Sequence, residues 1–123
     1  MEPVNEVVVY EHKNHPLNIE GFPKMTNREM QLDTVLAFLG SATTVITNTY
    51  HGVYWATLLK RKVVVVDPWS TKFQAFKHAP AFAQLDNWRS HIKEAKIYVE
   101  ALNECREANL RFSELARNII QPS

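Results

Sequence analysis

The sequence predicts an α/β protein built on a small parallel sheet. Three observations carry that expectation. The strand-like runs are short, β-branched and almost wholly apolar rather than alternating, the pattern of strands covered on both faces. Between them lie stretches whose apolar residues recur at helical spacing. The two kinds of segment follow one another as strand, helix, strand, helix, strand, helices, the order of parallel βαβ units.

The first strand falls on Val7, Val8, Val9 and Tyr10. A long polar segment follows to about Asn27, punctuated by Pro16, Gly21 and Pro23; loops of that length inside a compact domain are usually functional or mobile. A helix is expected over residues 28–40. There Met30, Leu32, Val35, Leu36 and Leu39 share a face, Thr26 or Asn27 serves as N-cap, and Gly40 ends the pattern. The second strand covers residues 43–47. Asn48 or Thr49 then caps a helix from about His51 to Lys60, where Lys60, Arg61 and Lys62 place cations at the helix C-terminus favoured by the macrodipole. The third strand, residues 63–66, stops at Asp67 and Pro68. The aromatic run from Trp69 to Gln84 is expected to hold a short helix near residues 73–77 and a loop around Pro80. From Asp86 or Asn87 onward, Trp88, Ile92, Ala95, Val99, Leu102, Cys105, Ala108, Phe112, Leu115 and Ile119 follow at steps of three or four. They predict one long C-terminal amphipathic helix, or two with a break near Lys96.

With 123 residues the chain suits one compact domain. Formal charge +1, from 14 basic and 13 acidic residues, gives no electrostatic argument for nucleic acid or an anionic membrane. A single cysteine, Cys105, forms no internal disulfide and reads as a small buried hydrophobe; together with an acidic start lacking an apolar signal core, it leads to the expectation of a reduced, cytoplasmic protein. No apolar run approaches the roughly 20 residues of a membrane span. Only 3 glycines are present, so no Gly-rich phosphate loop can form.

In an open parallel sheet, ligands bind outside the carboxyl ends of the strands. Two segments are expected there. One is Thr47-Asn48-Thr49-Tyr50-His51-Gly52, with His51 and Gly52 at a helix N-terminus that suits an anion. Gly52 would let that anion approach the backbone, and His51 would donate a hydrogen bond or act as general acid. The other is Asp67-Pro68-Trp69-Ser70-Thr71-Lys72, which adds hydroxyls from Ser70 and Thr71, a cation from Lys72 and an aromatic surface from Trp69. The bland alternative is that Asn48 and Thr49 cap the helix and His51 bonds a carbonyl. His12 and His15, in His-x-x-His spacing, lack the companion carboxylates or thiols of a metal site. No metal is called for.

The run from Val45 to Ala56 (Val-Ile-Thr-Asn-Thr-Tyr-His-Gly-Val-Tyr-Trp-Ala), followed by the four valines at 63–66, resembles the C-terminal signature of the polysaccharide pyruvyl transferase family. Cys105-Arg106-Glu107-Ala108-Asn109 with Phe112 is similar to the family's closing helix. The resemblance runs from about Leu36 onward. It implies a GT-B-like fold of two Rossmann-like domains, shared with many glycosyltransferases, and a role in polysaccharide biosynthesis. His51 would contact phosphoenolpyruvate, or the phosphate of a nucleotide sugar, and supply a proton or stabilise developing charge. Asn48, Thr49, Tyr50, Gly52, Trp69, Ser70, Thr71 and Lys72 would line the donor site. No cofactor beyond the donor is implied.

Three departures stand out. Thr49 occupies a position where many members carry Arg, removing a bidentate anion ligand. Lys60-Arg61-Lys62 replaces the usual Gly-Lys-Pro. Residues 1–123 correspond to a single Rossmann-like domain, the C-terminal half of a two-domain transferase, with the N-terminal domain absent. The primary expectation is therefore a transferase domain binding a phosphate-containing donor and a saccharide acceptor, its cleft completed by a homodimer or a partner chain. The alternative is a non-catalytic binding or assembly module that retains the fold.

Overall fold

In the computed structural model, residues 3–67, 76, 78–101, 117 and 119 are described. The three apolar runs form the middle of a sheet. They are β1 (Asn5–Glu11), β3 (Ala42–Thr47) and β4 (Lys62–Val66), and each is longer than its valine-rich centre. Two short strands, β2 (Lys24–Thr26) and β5 (Ala81–Ala83), complete the edges. The sheet has five strands in the order β2-β1-β3-β4-β5, and every neighbouring pair is parallel. With helices against it, this is the Rossmann-like α/β arrangement that the sequence predicts. The edge strands escape sequence reading because three residues carry no periodicity, and Lys24-Met25-Thr26 is polar and at most half-buried.

Residues alternate between the faces of each strand. Val8, Tyr10, Val45, Val63 and Val65 pack on one face with Val35, Leu36 and Leu39 of α1 (Leu32–Gly40) and Val53 and Ala56 of α2 (Tyr50–Leu58). Val7, Val9, Ile46, Val64 and Val66 pack on the other. There the cover is irregular: Leu17 and Ile19 from the β1–β2 connection, and Trp88 and Ala95 from the C-terminal side. The long polar segment is thus a lid over one face of the sheet, with only its polar residues left to water. Two residues in it take left-handed backbone, Asn18 (φ 58°) and Gly21 (φ 91°). Burial on both faces explains why the central strands do not alternate in polarity.

α1 begins four residues later than the periodicity suggests. Thr26 pairs with Glu11 in the sheet, the Asn27 amide donates to the Glu11 carbonyl, and Asn27 Oδ1 accepts from the Lys13 amide at 2.8 Å. The two cap candidates are therefore taken up by β2 and its loop. Gln31 stands at the N-cap with no side-chain bond, and Met30 is 92% exposed. α2 matches its expected cap: Thr49 Oγ1 accepts from the Gly52 amide at 2.9 Å.

The helix expected from Asn87 is short. α3 covers Trp88–His91 and a 3₁₀ turn covers Ile92–Glu94, after which Ala95 is extended (φ −75°, ψ 143°). The chain breaks next to Lys96, so no single helix runs from Asn87 through the stripe. The remainder of the expected long C-terminal helix, Cys105 included, lies outside the described residues. So does the short helix expected near residues 73–77, apart from Phe76.

Candidate functional site

The chain leaves β1 toward β2 on one side, whereas β3 adds on the other. The connection order therefore reverses between β1 and β3, the topological switch point where open α/β sheets hold ligands at their carboxyl ends. Two segments emerge there: residues 11–15 after β1 and residues 47–52 after β3. The register sets them side by side, with Tyr10 opposite Thr47.

Asn48 joins them. Its Oδ1 accepts from the His12 amide at 2.7 Å, and its Nδ2 donates to the His15 carbonyl at 2.7 Å. Asn48 is 2% exposed, so it clasps the β1 loop from beneath. The Thr49 hydroxyl also points inward. It lies 2.9 Å from Thr47 Oγ1 and accepts from the Gly52 amide, while the Thr49 amide donates to Thr47 Oγ1 at 3.0 Å. Gly52 is buried against this pair. A Cβ there would lie 2.3 Å from Thr49 Oγ1, 2.7 Å from Thr47 Oγ1 and 2.8 Å from Tyr10 Cδ2. The close approach that requires glycine is thus made by these neighbouring side chains.

His51 is exposed on the first turn of α2. Its ring lies 5.1 Å from that of Trp55 and 5.9 Å from that of Tyr50, and Tyr50 stacks on Phe76 at 4.6 Å. An apolar cavity of about 120 Å3, lined by Tyr54, Thr57, Leu58, Phe76, His78 and Ala101, lies along the far side of α2 and includes none of the predicted site residues. Of the second predicted segment, Asp67 is described: it takes left-handed backbone (φ 48°) and its amide donates to the Ala83 carbonyl at 3.0 Å. Trp69, Ser70, Thr71 and Lys72 lie outside the described residues.

Burial pushes the Tyr10 phenol up from 10.0 to about 12, with the Glu29 carboxylate adding to the shift. His12 is held below the ordinary imidazole range by burial first, then by the neighbouring His15 and Lys13. Lys60, Arg61 and Lys62 sit at the amino end of β4, the opposite edge of the sheet from this site, and so lend it no nearby positive potential. Among the described residues, no three His, Cys, Asp or Glu side chains come together as a metal site.

Sequence reasoning weighed His12 and His15 only as metal ligands and missed their place beside the β3 turn. The strand order would have revealed it, but that order depends on β2, which periodicity does not show. Comparison of the chain with profiles of protein families, with curated proteins and with solved structures found no match.

Proposed function

We propose that the chain is a pyruvyl transferase-like or glycosyltransferase-like domain. It binds a phosphate-containing donor, phosphoenolpyruvate or a nucleotide sugar, for group transfer to a sugar hydroxyl. One observation carries the reading: His51 is exposed on the first turn of α2, directly after the strand that borders the switch point. The amide groups of that turn and the partial positive charge of the helix N-terminus favour an anion. In the transfer, the acceptor oxygen forms a bond to the donor carbon. The bond from that centre to the phosphate-bearing oxygen breaks, or its phosphate departs in a later step, and the electron pair leaves with the phosphate. His51 serves as the proton donor or as the hydrogen-bond donor to the oxygen that gains charge. The other wall of the cleft, with the acceptor contacts, comes from a further domain or chain. The left-handed backbone of Lys60 (φ 63°) also fits the reading, since the resembled pattern carries glycine there.

A second reading, a binding module without catalysis, draws on Thr49. Its side chain is turned inward as the helix cap, so the position where the family carries Arg offers no cation.

Thermal-shift titration with phosphoenolpyruvate and a set of nucleotide sugars tests the donor site. At a ligand concentration 100-fold above Kd, binding stabilises the fold by about 2.7 kcal/mol. Absence of a shift with every donor at millimolar concentration overturns the reading. His51→Ala is expected to abolish the shift while changing the stability of the free protein by under about 0.5 kcal/mol, because the residue is exposed. A binding shift with no transfer to any acceptor, once the second wall is supplied, selects the binding module.

A further inference from the structure

The loop after β1 is fixed from several sides. The Leu17 amide donates to Glu11 Oε1 at 3.1 Å, and Glu11 is 6% exposed. Asn48 holds the His12 amide and the His15 carbonyl, Asn27 holds the Lys13 amide, and the His15 amide closes onto the His12 carbonyl at 3.0 Å. A backbone held this firmly nevertheless turns Lys13, Asn14 and His15 to solvent, with His12 partly buried beside them. The imidazoles of His12 and His15 stand 5.0 Å apart between ring centres. Such a loop presents side chains in fixed positions at the switch-point crevice, the condition for a preorganised site.

The Asn14 amide donates to His12 Nδ1 at 3.0 Å. An accepting Nδ1 carries no proton, so the proton of the neutral ring sits on Nε2. A metal at Nε2 would need the opposite tautomer, with Nδ1–H aimed at the Asn14 N–H. Protonation of the ring meets the same obstacle. His12 is therefore set up as a neutral N–H donor and not as a metal ligand.

We infer that His12, through Nε2–H, with Lys13 beside it, forms the β1-side wall of an anion site whose β3-side wall is the His51 turn, and that the oxygen it takes belongs to a phosphoryl group. This inference rests on the donor site proposed above. It adds the residues that hold the phosphate across the switch point. Asn48 is the positioning residue, because it fixes the His12 amide two residues before α2.

The test is ring-nitrogen NMR of the full chain, with inorganic phosphate, phosphoenolpyruvate and a uridine diphosphate sugar titrated separately. The expected result is an Nε2–H tautomer for His12 in the free protein, and shifts of both the His12 and His51 rings with at least one phosphate ligand. A response to inorganic phosphate alone would assign the site to the free ion, and a response to only one of the larger ligands would identify the donor; each supports the wall. His12→Ala is expected to weaken binding of that ligand by about tenfold or more, as loss of a hydrogen bond to a charged group does, and His12→Gln, which keeps an N–H donor, to restore part of it. Three results overturn the inference: an Nδ1–H tautomer, shifts at His51 without shifts at His12, or zinc binding that displaces the Asn14 contact. The second of these leaves the donor site standing. No response at either histidine rejects both.

Discussion

The two ends of α2 look alike in sequence and behave differently in the fold. Thr47-Asn48-Thr49-Tyr50-His51-Gly52 precedes the helix and Lys60-Arg61-Lys62 follows it, both polar runs next to buried strands. At the C-terminal end the central cation turns into the molecule. Arg61 is 7% exposed; its Nε and Nη2 donate to the Gly40 carbonyl at 3.2 and 2.7 Å, and Nη1 donates to the Leu59 carbonyl at 2.9 Å. One guanidinium thus joins the negative ends of α1 and α2. At the N-terminal end, Asn48, Thr49 and Gly52 face inward and His51 faces out. A polar run at a helix end therefore signals function only in the residues left over once the backbone groups and caps have their partners.

The largest expected effect breaks the C-terminal end. Arg61→Ala leaves the Gly40 and Leu59 carbonyls without these donors and removes the link between two helices. A loss of about 3 kcal/mol in urea unfolding is expected, with an unchanged m-value. A loss under about 1 kcal/mol would mean that water replaces the guanidinium and that the two helix ends are equally solvated, which would erase the contrast.

How far the sequence foretold this contrast depends on what each residue's role rests upon. The Thr49 cap was legible because a hydroxyl immediately before a helical pattern has one common use. The central strands were legible from their valine runs. The inward turn of Arg61 was not, because three consecutive cations at a helix end read as a solvated group favoured by the dipole, and its carbonyl partner on α1 is 21 residues away. Asn48 had the same difficulty. It read as a cap or a ligand contact, while its amide bonds a loop 33 to 36 residues earlier. Local pattern carries local roles, and long-range hydrogen bonds need the strand order first. The inward role of Gly52 likewise depends on Tyr10, brought beneath it by the β1–β3 register.

A pH experiment sharpens the N-terminal end. The Tyr10 ring sits beneath the α2 turn, 2% exposed, with its phenol pushed up to about 12. The unfolded chain loses that proton near 10, so between pH 10 and 12 the unfolded state gains free energy of ionisation that the native state does not. The stability from the protonated phenol is complete below pH 10 and falls away as pH rises toward 12, by about 1.4 kcal/mol per pH unit. Wild type should therefore lose about 2–3 kcal/mol more than Tyr10→Phe across that window, measured by chemical denaturation at each pH. Equal slopes would place the phenol in contact with water and the turn above it open.

The smallest effect returns to the C-terminal end and has the opposite sign. The Lys60 amide donates to the Thr57 carbonyl at 3.1 Å and the Arg61 amide to the Ala56 carbonyl at 3.0 Å, the paired bonds of a Schellman motif whose left-handed residue is Lys60 (φ 63°). A side chain with a Cβ costs about 1 kcal/mol in that conformation, which glycine avoids. Lys60→Gly should consequently raise stability by about 0.5–1 kcal/mol in urea unfolding, the gain in backbone strain being offset in part by the greater entropy of the unfolded glycine. Lys60 is only partly buried and the main-chain bonds do not involve its side chain, so the gain needs no repacking. A destabilised Lys60→Gly would show that the lysine itself supports the helix end through its charge. The C-terminal turn would then rest on two cations rather than on Arg61 alone.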